Sequence, residues 1–380
     1  MPGKRSGFFS SKDAHPWSRV KDRILGTYLT VYFAKINRIK KPVFLVDAFA
    51  GPGLTEDGEP GSPLIICKAA EIFGKGKFHA FFVNKDKSHH NDLGNVLCEN
   101  GYESVTTTIC GDGPSVLREV APQLTDHTVF LYIDPFGVEC EFDALEAFLD
   151  RSKYCSTEIL INLQMPIVHR LAAKNATNNG NEIYHPINKW HEKLSRIFGG
   201  EYWKECLFSE EEPKERENKL IGKYQNRLAS TQYLRFTGAC PIRESPTSAT
   251  KYFMIFASRH PDAMAIFNDA MCKATNEYYT LREMGDTLFA NEPWELWRGP
   301  TIRKLRVTIV NFVEEYPGYS RKDLRELFIQ EHFALYTQAE FNNSISELVD
   351  TGKIVCSTPI KSPLRRTKRL NDNCVLEPCK

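Results

Sequence analysis

Apolar residues gather in short uninterrupted runs, each closed by an acidic, amide or glycine-containing turn. Val43-Phe44-Leu45-Val46 ends at Asp47 and enters Ala48-Phe49-Ala50-Gly51-Pro52-Gly53. Four apolar residues in a row fit a parallel strand covered on both faces. The pattern recurs in His79–Val83, closed by Asn84-Lys85-Asp86, and a β-branched strand, Val105–Ile109, is closed by Cys110-Gly111-Asp112-Gly113. It recurs again in Thr128–Ile133, closed by Asp134-Pro135-Phe136-Gly137, and in Glu158–Leu163. Helical spacing fills the intervals. Val20, Ile24, Tyr28, Val31 and Tyr32 mark a helix over about 17–37, and Ser62 and Pro63 open another as N-cap and first position. Strands alternating with helices predict an α/β protein with a doubly wound, mostly parallel sheet.

After the fifth strand the alternation stops. Residues 175–185 are polar and rich in Asn, 186–208 are helical and aromatic, and Glu210–Glu217 is a charge cluster expected to be a solvated surface. This helical insertion, about 170–230, lies where a substrate lid could sit. Leu220–Leu228, the strand Tyr233–Phe236, the apolar strand Lys251–Ser258 and a terminal helix over 262–273 complete the sheet domain. From about Thr301 three helical patterns are followed by Lys353-Ile354-Val355 and a return through Asn373–Leu376. Three helices and a hairpin predict a winged helix. The expected organisation is a mobile arm at 1–15, the sheet domain at 16–280, a linker at 281–300 and the winged helix at 301–380.

Composition narrows the classes. The 380 residues are 42% hydrophobic and 26% charged, with a formal net charge of +1. A nucleic-acid partner would therefore be met by a local basic patch. Eleven cysteines without C-x-x-C pairs favour reduced thiols in a cytoplasmic setting over disulfides or a zinc site. No run is long enough to span a membrane, and Met1-Pro2-Gly3-Lys4-Arg5 lacks the apolar core of a signal peptide.

Chemistry concentrates at the strand ends. Gly51 and Gly53 permit positive φ and close backbone approach to a ligand, at the carboxyl end of the first strand where nucleotide-like ligands dock. Asn84 or Asp86 is placed to meet a ribose hydroxyl. Asp112 is equally suited to an adenine amine and to capping the next helix. Asp134 offers a carboxylate to a nucleophilic amine, and Phe136 either holds a planar acceptor or packs in the core. Lys21 either is one of the solvated basic residues of a core-covering helix or lies near the ligand. In the expected wing, Lys361, Arg365, Arg366, Lys368 and Arg369 form a stretch without an acid, able to pair with phosphates.

Asp47-Ala48-Phe49-Ala50-Gly51-Pro52-Gly53, Gly61-Ser62-Pro63-Leu64, Asn84-Lys85-Asp86, Gly111-Asp112, Asp134-Pro135-Phe136-Gly137 and Ile159–Asn162 together resemble the three-Cys-motif partner protein family. The resemblance covers about 15–275, and the winged-helix tail looks like one attached to members of that family. It implies a Rossmann-like methyltransferase fold, S-adenosylmethionine (SAM) as cofactor and a partner protein with a three-cysteine motif. It also implies cofactor contacts at Asp47, Phe49, Gly51, Gly53, Asn84 or Asp86, and Asp112, with Asp134 and Phe136 lining the acceptor pocket. No metal is expected, because the sulfonium is already an activated leaving group. The expected function is methyl transfer to nucleic acid, DNA or RNA, met through the winged helix. The competing expectations are a non-catalytic nucleic-acid- or partner-binding protein on the same fold, and a different α/β enzyme acting on nucleotides.

Overall fold

Five expected strands become five parallel strands: β1 (Val43–Asp47), β2 (Phe78–Asn84), β3 (Thr106–Cys110), β4 (Thr128–Ile133) and β5 (Thr157–Gln164). The computed structural model describes residues 16–38, 41–74, 77–149, 151, 155–173, 177–178, 181–182, 185–230, 234–244, 247–284, 294–357 and 371–379. All six residues of β4 are buried, as a central parallel strand requires. Two short strands, β6 (Thr177–Asn178) and β7 (Asn181–Glu182), pair with each other in the insertion. Then β8 (Phe236–Arg243) and β9 (Thr250–Ser258) complete a seven-stranded sheet in the order β3-β2-β1-β4-β5-β9-β8, with β9 antiparallel to both neighbours.

The helices are α1 (Pro16–Ile36) before β1, then α2 (Ser62–Gly74), α3 (Lys87–Glu99), α4 (Gly113–Val120) and α5 (Phe142–Leu149) between the parallel strands. The insertion holds α6 (Met165–Leu171), α7 (His185–Phe198), α8 (Tyr202–Leu207) and α9 (Pro213–Leu228). α1 buries Ile24, Leu25, Tyr28, Leu29, Tyr32 and Phe33. The Tyr28 and Tyr32 rings lie 5.8 and 5.7 Å from that of Phe130 in β4.

Several expectations are corrected. The strand expected at Tyr233–Phe236 runs instead from Phe236 to Arg243, and Tyr233 lies outside the described residues. Gly238 and Pro241 look like breakers in the sequence, but β8 is the edge strand, where a missing N–H is tolerated. The aromatic helix of the insertion is two helices, parted at Gly199, whose φ is +65°. Within the charge cluster Glu217 is buried, because α9 presents it to His169 of α6, Nε2 to Oε1 2.7 Å. By its contacts the chain divides into two compact units, 1–263 and 264–380.

The second unit begins within α10 (Pro261–Met284) and holds α11 (Trp294–Glu315), α12 (Arg321–Glu331), α13 (Gln338–Asp350) and the antiparallel pair β10 (Ile354–Ser357) and β11 (Val375–Pro378). The range expected as a linker, 281–300, thus carries helix at both ends. Asn268 of α10, fully buried, donates to Tyr336 O at 2.8 Å and accepts from Ala334 N at 2.8 Å. These bonds tie α10 to the entry of α13. Leu305, Ile309, Phe312, Leu324, Phe328, Phe341, Ile345 and Leu376 form this unit's core. The turn before α12 joins the strands: Leu376 N donates to Tyr319 O at 3.0 Å, and Ser320 bridges to Val375. The arm 1–15 and the basic stretch Lys361–Arg369 lie outside the described residues. Among the described residues no helix is long and apolar enough to cross a membrane. All eleven cysteines are free thiols.

Glu158, near the start of β5, is buried, and its Oε2 accepts from the Tyr28 hydroxyl. Burial pushes its carboxyl up to about 7, while the Tyr28 bond and Lys35 pull it down. A carboxyl raised above its usual 4.5 contributes stability that is complete below that value and is lost as pH rises through about 7. From this group alone, stability falls by on the order of 3 kcal/mol across that window. Urea denaturation of Glu158→Gln between about pH 5 and 8 is expected to show that part of the slope removed.

Candidate active site

The carboxyl ends of β1, β2, β4 and β5 share one edge of the sheet, and the polar strand ends meet there. Asp47 closes β1 in register with Phe82 of β2 and Tyr132 of β4. It is fully buried. Its Oδ2 accepts from Ser62 Oγ at 2.6 Å and its Oδ1 from Phe49 N at 3.1 Å. Ser62, expected as an N-cap, is thus the donor that holds Asp47 from the first turn of α2. Burial pushes the Asp47 carboxyl up to about 7; the Ser62 and Phe49 bonds and Lys21 pull it down, and Asp134 pushes it further up.

The chain after Asp47 is fixed by Ala48 N to Tyr132 O at 3.2 Å and Ala50 N to Val83 O at 2.8 Å. Phe49 is half-buried beside it. Gly53 has φ +94°, and a Cβ there would meet Val96 at 2.9 Å, so only glycine fits. Gly51 differs: a Cβ there would meet nothing within 4 Å. Its outer face is open.

At the end of β2 the Asn84 side chain turns inward. Its Nδ2 donates to Ala50 O at 2.6 Å and its Oδ1 accepts from Asp86 N at 2.8 Å. Asn84 therefore laces the glycine turn to the start of α3. Asp86 caps α3 through His89 N at 2.9 Å and stays exposed. Asp112 caps α4, accepting from Ser115 Oγ at 3.0 Å, and lies 3.6 Å from Lys85.

Asp134, just past β4, is the hub of the other half. Its Oδ1 accepts from Asn162 Nδ2 of β5 at 2.6 Å. Its Oδ2 accepts from the Tyr132 hydroxyl at 3.2 Å and from Lys21 of α1, with which it forms an ion pair. The pair is largely enclosed, with side chains 19% and 15% exposed. Gln164 Nε2 donates to Pro135 O at 2.9 Å and pins the turn. Phe136 beyond it is 50% exposed, so it is not a core residue. Burial pulls the Lys21 ammonium down, but Asp134, Asp22 and Asp47 outweigh it and leave it above its usual value. Burial pushes the Asp22 carboxyl up to about 6 against the pull of Lys21. Asn162 Oδ1 is buried and has no partner among the described residues. Asp47, Asp134, Lys21 and Asp22 thus act electrostatically as one cluster. Lys21, Ser62, Gln164 and Asn162 are the polar residues that donate to the carboxylates and the turn carbonyl of this edge. The only sequence sign of Lys21 was its place in the helix leading into β1.

No family model matches the chain, and no curated protein matches it. Among solved structures, protein LPL1258 from Legionella pneumophila shares 11% identity, covering 68% of this chain and 92% of that one, with a TM-score of 0.41. The O-methyltransferase TomG from Streptomyces achromogenes, in complex with SAM, shares 9% identity, covering 66% of this chain and 92% of that one, with a TM-score of 0.35. An O-methyltransferase from Bacillus cereus in complex with SAH shares 10% identity, covering 66% of this chain and 93% of that one, with a TM-score of 0.33. The strand order and the reversed β9 carry the fold themselves. It is a Rossmann-like methyltransferase fold.

Asp134→Asn leaves an enclosed ammonium facing a neutral amide, and Lys21→Met leaves an enclosed carboxylate without its cation. Each single change is expected to cost about 2–4 kcal/mol in urea denaturation. The double mutant should cost less than their sum by about 1–3 kcal/mol.

Proposed function

We propose that this chain is a SAM-dependent methyltransferase, and that the carrying observation is the buried Asp47 carboxyl beside the open face of Gly51. An α-ammonium fits the carboxylate, and the backbone at Gly51 leaves room for the atoms attached to it. Asp86, exposed at the end of β2, is suited to the ribose hydroxyls, with Asn84 holding the loop in place. Asp112 and Gly111 offer a polar edge to an adenine amine. Phe136, exposed at the end of β4, is a ring on which a planar acceptor stacks. Asp134 orients the acceptor's donor group, its carboxylate fixed by Asn162, Tyr132 and Lys21. The sulfonium carries its own activation, so the residues supply alignment and a dry, preorganised setting.

For the acceptor we favour nucleic acid, on the arrangement of the C-terminal unit. Three helices and a hairpin, with the turn at Ser320 joining β11, suit a winged helix. Its third helix, α13, carries Glu340, Glu347 and Asp350 and no Lys or Arg. Phosphate contact is therefore assigned to Lys361, Arg365, Arg366, Lys368 and Arg369. The sequence motifs resemble those of the three-Cys-motif partner proteins, which makes a protein bearing that motif the partner to seek. A non-catalytic reading draws on two observations: both Asp134 oxygens are already engaged, and the fully buried Asp47 has both of its oxygens bonded as well.

Calorimetry with SAM and with S-adenosylhomocysteine separates the readings. Wild type is expected to bind both. Gly51→Ala should melt with the wild type, since its Cβ meets nothing, yet lose at least tenfold in affinity. Affinity for SAM should rise about tenfold between about pH 6 and 8, with proton release, because a cation needs Asp47 ionised. The groups facing Asp47 are Ser62, Asp134 and Lys21. No binding by the wild type would sink the methyltransferase reading.

For the nucleic-acid arm, replacing Arg365, Arg366 and Arg369 by Gln should weaken a gel shift on single- or double-stranded probes and flatten its salt dependence. An unchanged shift would remove the basic stretch from the interface.

A further inference from the structure

Among the described residues Lys21 has more donors than acceptors. Its ammonium offers three N–H groups, and among the described residues its one hydrogen-bond acceptor is Asp134 Oδ2. The group is largely enclosed, where water is a poor substitute for a fixed acceptor. It stays firmly charged because Asp134, Asp22 and Asp47 surround it. The same edge holds Asp47, an anionic site for an ammonium, with Gly51 open beside it. A cation with unused donors and a buried carboxylate at one strand edge form a two-point receptor for a zwitterion.

We propose that Lys21 is the residue that reads the α-carboxylate of the cofactor's amino-acid end, while Asp47 reads its α-ammonium. This rests on the methyltransferase reading and sharpens it to one functional group. Lys21 is a specificity-determining residue here, held in place by Asp134. The competing role, a mere counter-ion for Asp134, makes the opposite prediction. The cluster of Asp22, Asp47 and Asp134 outnumbers its single lysine, so without a carboxylate reader the site would prefer the ligand of higher positive charge.

Decarboxylated SAM supplies that ligand, since it keeps the sulfonium and ammonium and lacks the carboxylate. Calorimetry at pH 8 compares it with SAM on the wild type and on Lys21→Met, with thermal melting as the folding control. The expected result is at least tenfold weaker binding of the decarboxylated compound by the wild type, a gap that closes or reverses in Lys21→Met. A wild-type gap under tenfold, or one that survives in the variant, overturns the assignment and leaves the methyltransferase reading standing. If Lys21→Met does not fold, the wild-type gap decides alone. Failure of the wild type to bind SAM itself removes both.

Discussion

Parallel pairing of β1 with β2 on one side and β4 on the other is the constraint on which the site depends. The chain moves outward from β1 to β3 and must then come back across β1 to build β4. The connections leave in opposite directions and open a crevice at the strands' carboxyl ends. Asp47 closes one of the two strands beside it and Asp134 follows the other. Asp47 is in register with Tyr132, so Asp134 lies two residues further along, about 6–7 Å at the rise of a strand. That offset fits the proposed cofactor, held at one end by β1 and presented to an acceptor at the end of β4.

The crevice is also where unfavourable electrostatics accumulate. Asp47 and Asp22 both have raised carboxyls, and Tyr132 is held well above its ordinary value by burial and then by the three acids. A fold selected for stability alone would favour apolar residues there, since enclosed ion pairs are often no better than well-packed hydrophobes. Here the charges are held by named donors, Ser62, Phe49 N and Asn162, each from a different part of the chain. An excess of carboxylate over lysine suits a ligand that brings positive charge.

The strand ends were legible because a buried parallel strand must stop in a polar turn, and the turn residues are few. Asp47, Gly51, Gly53 and Asp134 could be read for that reason. What those residues bond to was not legible. Ser62 looks like a helix cap, Asn162 like one more strand-end amide and Lys21 like either a solvated charge or a neighbour of the ligand, and only the folded geometry shows each aimed at a carboxylate. The second kind of loss is burial that contradicts composition. Glu217 sits in a run of charges, yet α9 turns it inward to His169. Asn268 lies in the helix expected to end the sheet domain, yet it is fully buried and its hydrogen bonds run to Tyr336 and Ala334 of the second unit. Pro241 hid an edge strand because proline's meaning depends on which strand it occupies.

α1 shows how one helix serves both the core and the crevice. Lys21 and Tyr28 are seven residues apart, two turns on one face, about 10 Å along the axis. Their partners, Asp134 at the end of β4 and Glu158 near the start of β5, match that span. Glu158 is level with Phe130, four residues short of Asp134, or about 13 Å along the strand direction. The helix is thus fastened to the sheet at two polar points with the aromatic contacts of Tyr28 and Tyr32 on Phe130 between them. Apolar packing alone would let α1 slide by a fraction of a turn at little loss, since Leu, Ile and Tyr rings repack. Two directional bonds at matched spacing do not allow it, because a shift that keeps one breaks the other. The cation in the crevice therefore has its position set by a tyrosine at the opposite end of the sheet, where no ligand is expected to reach.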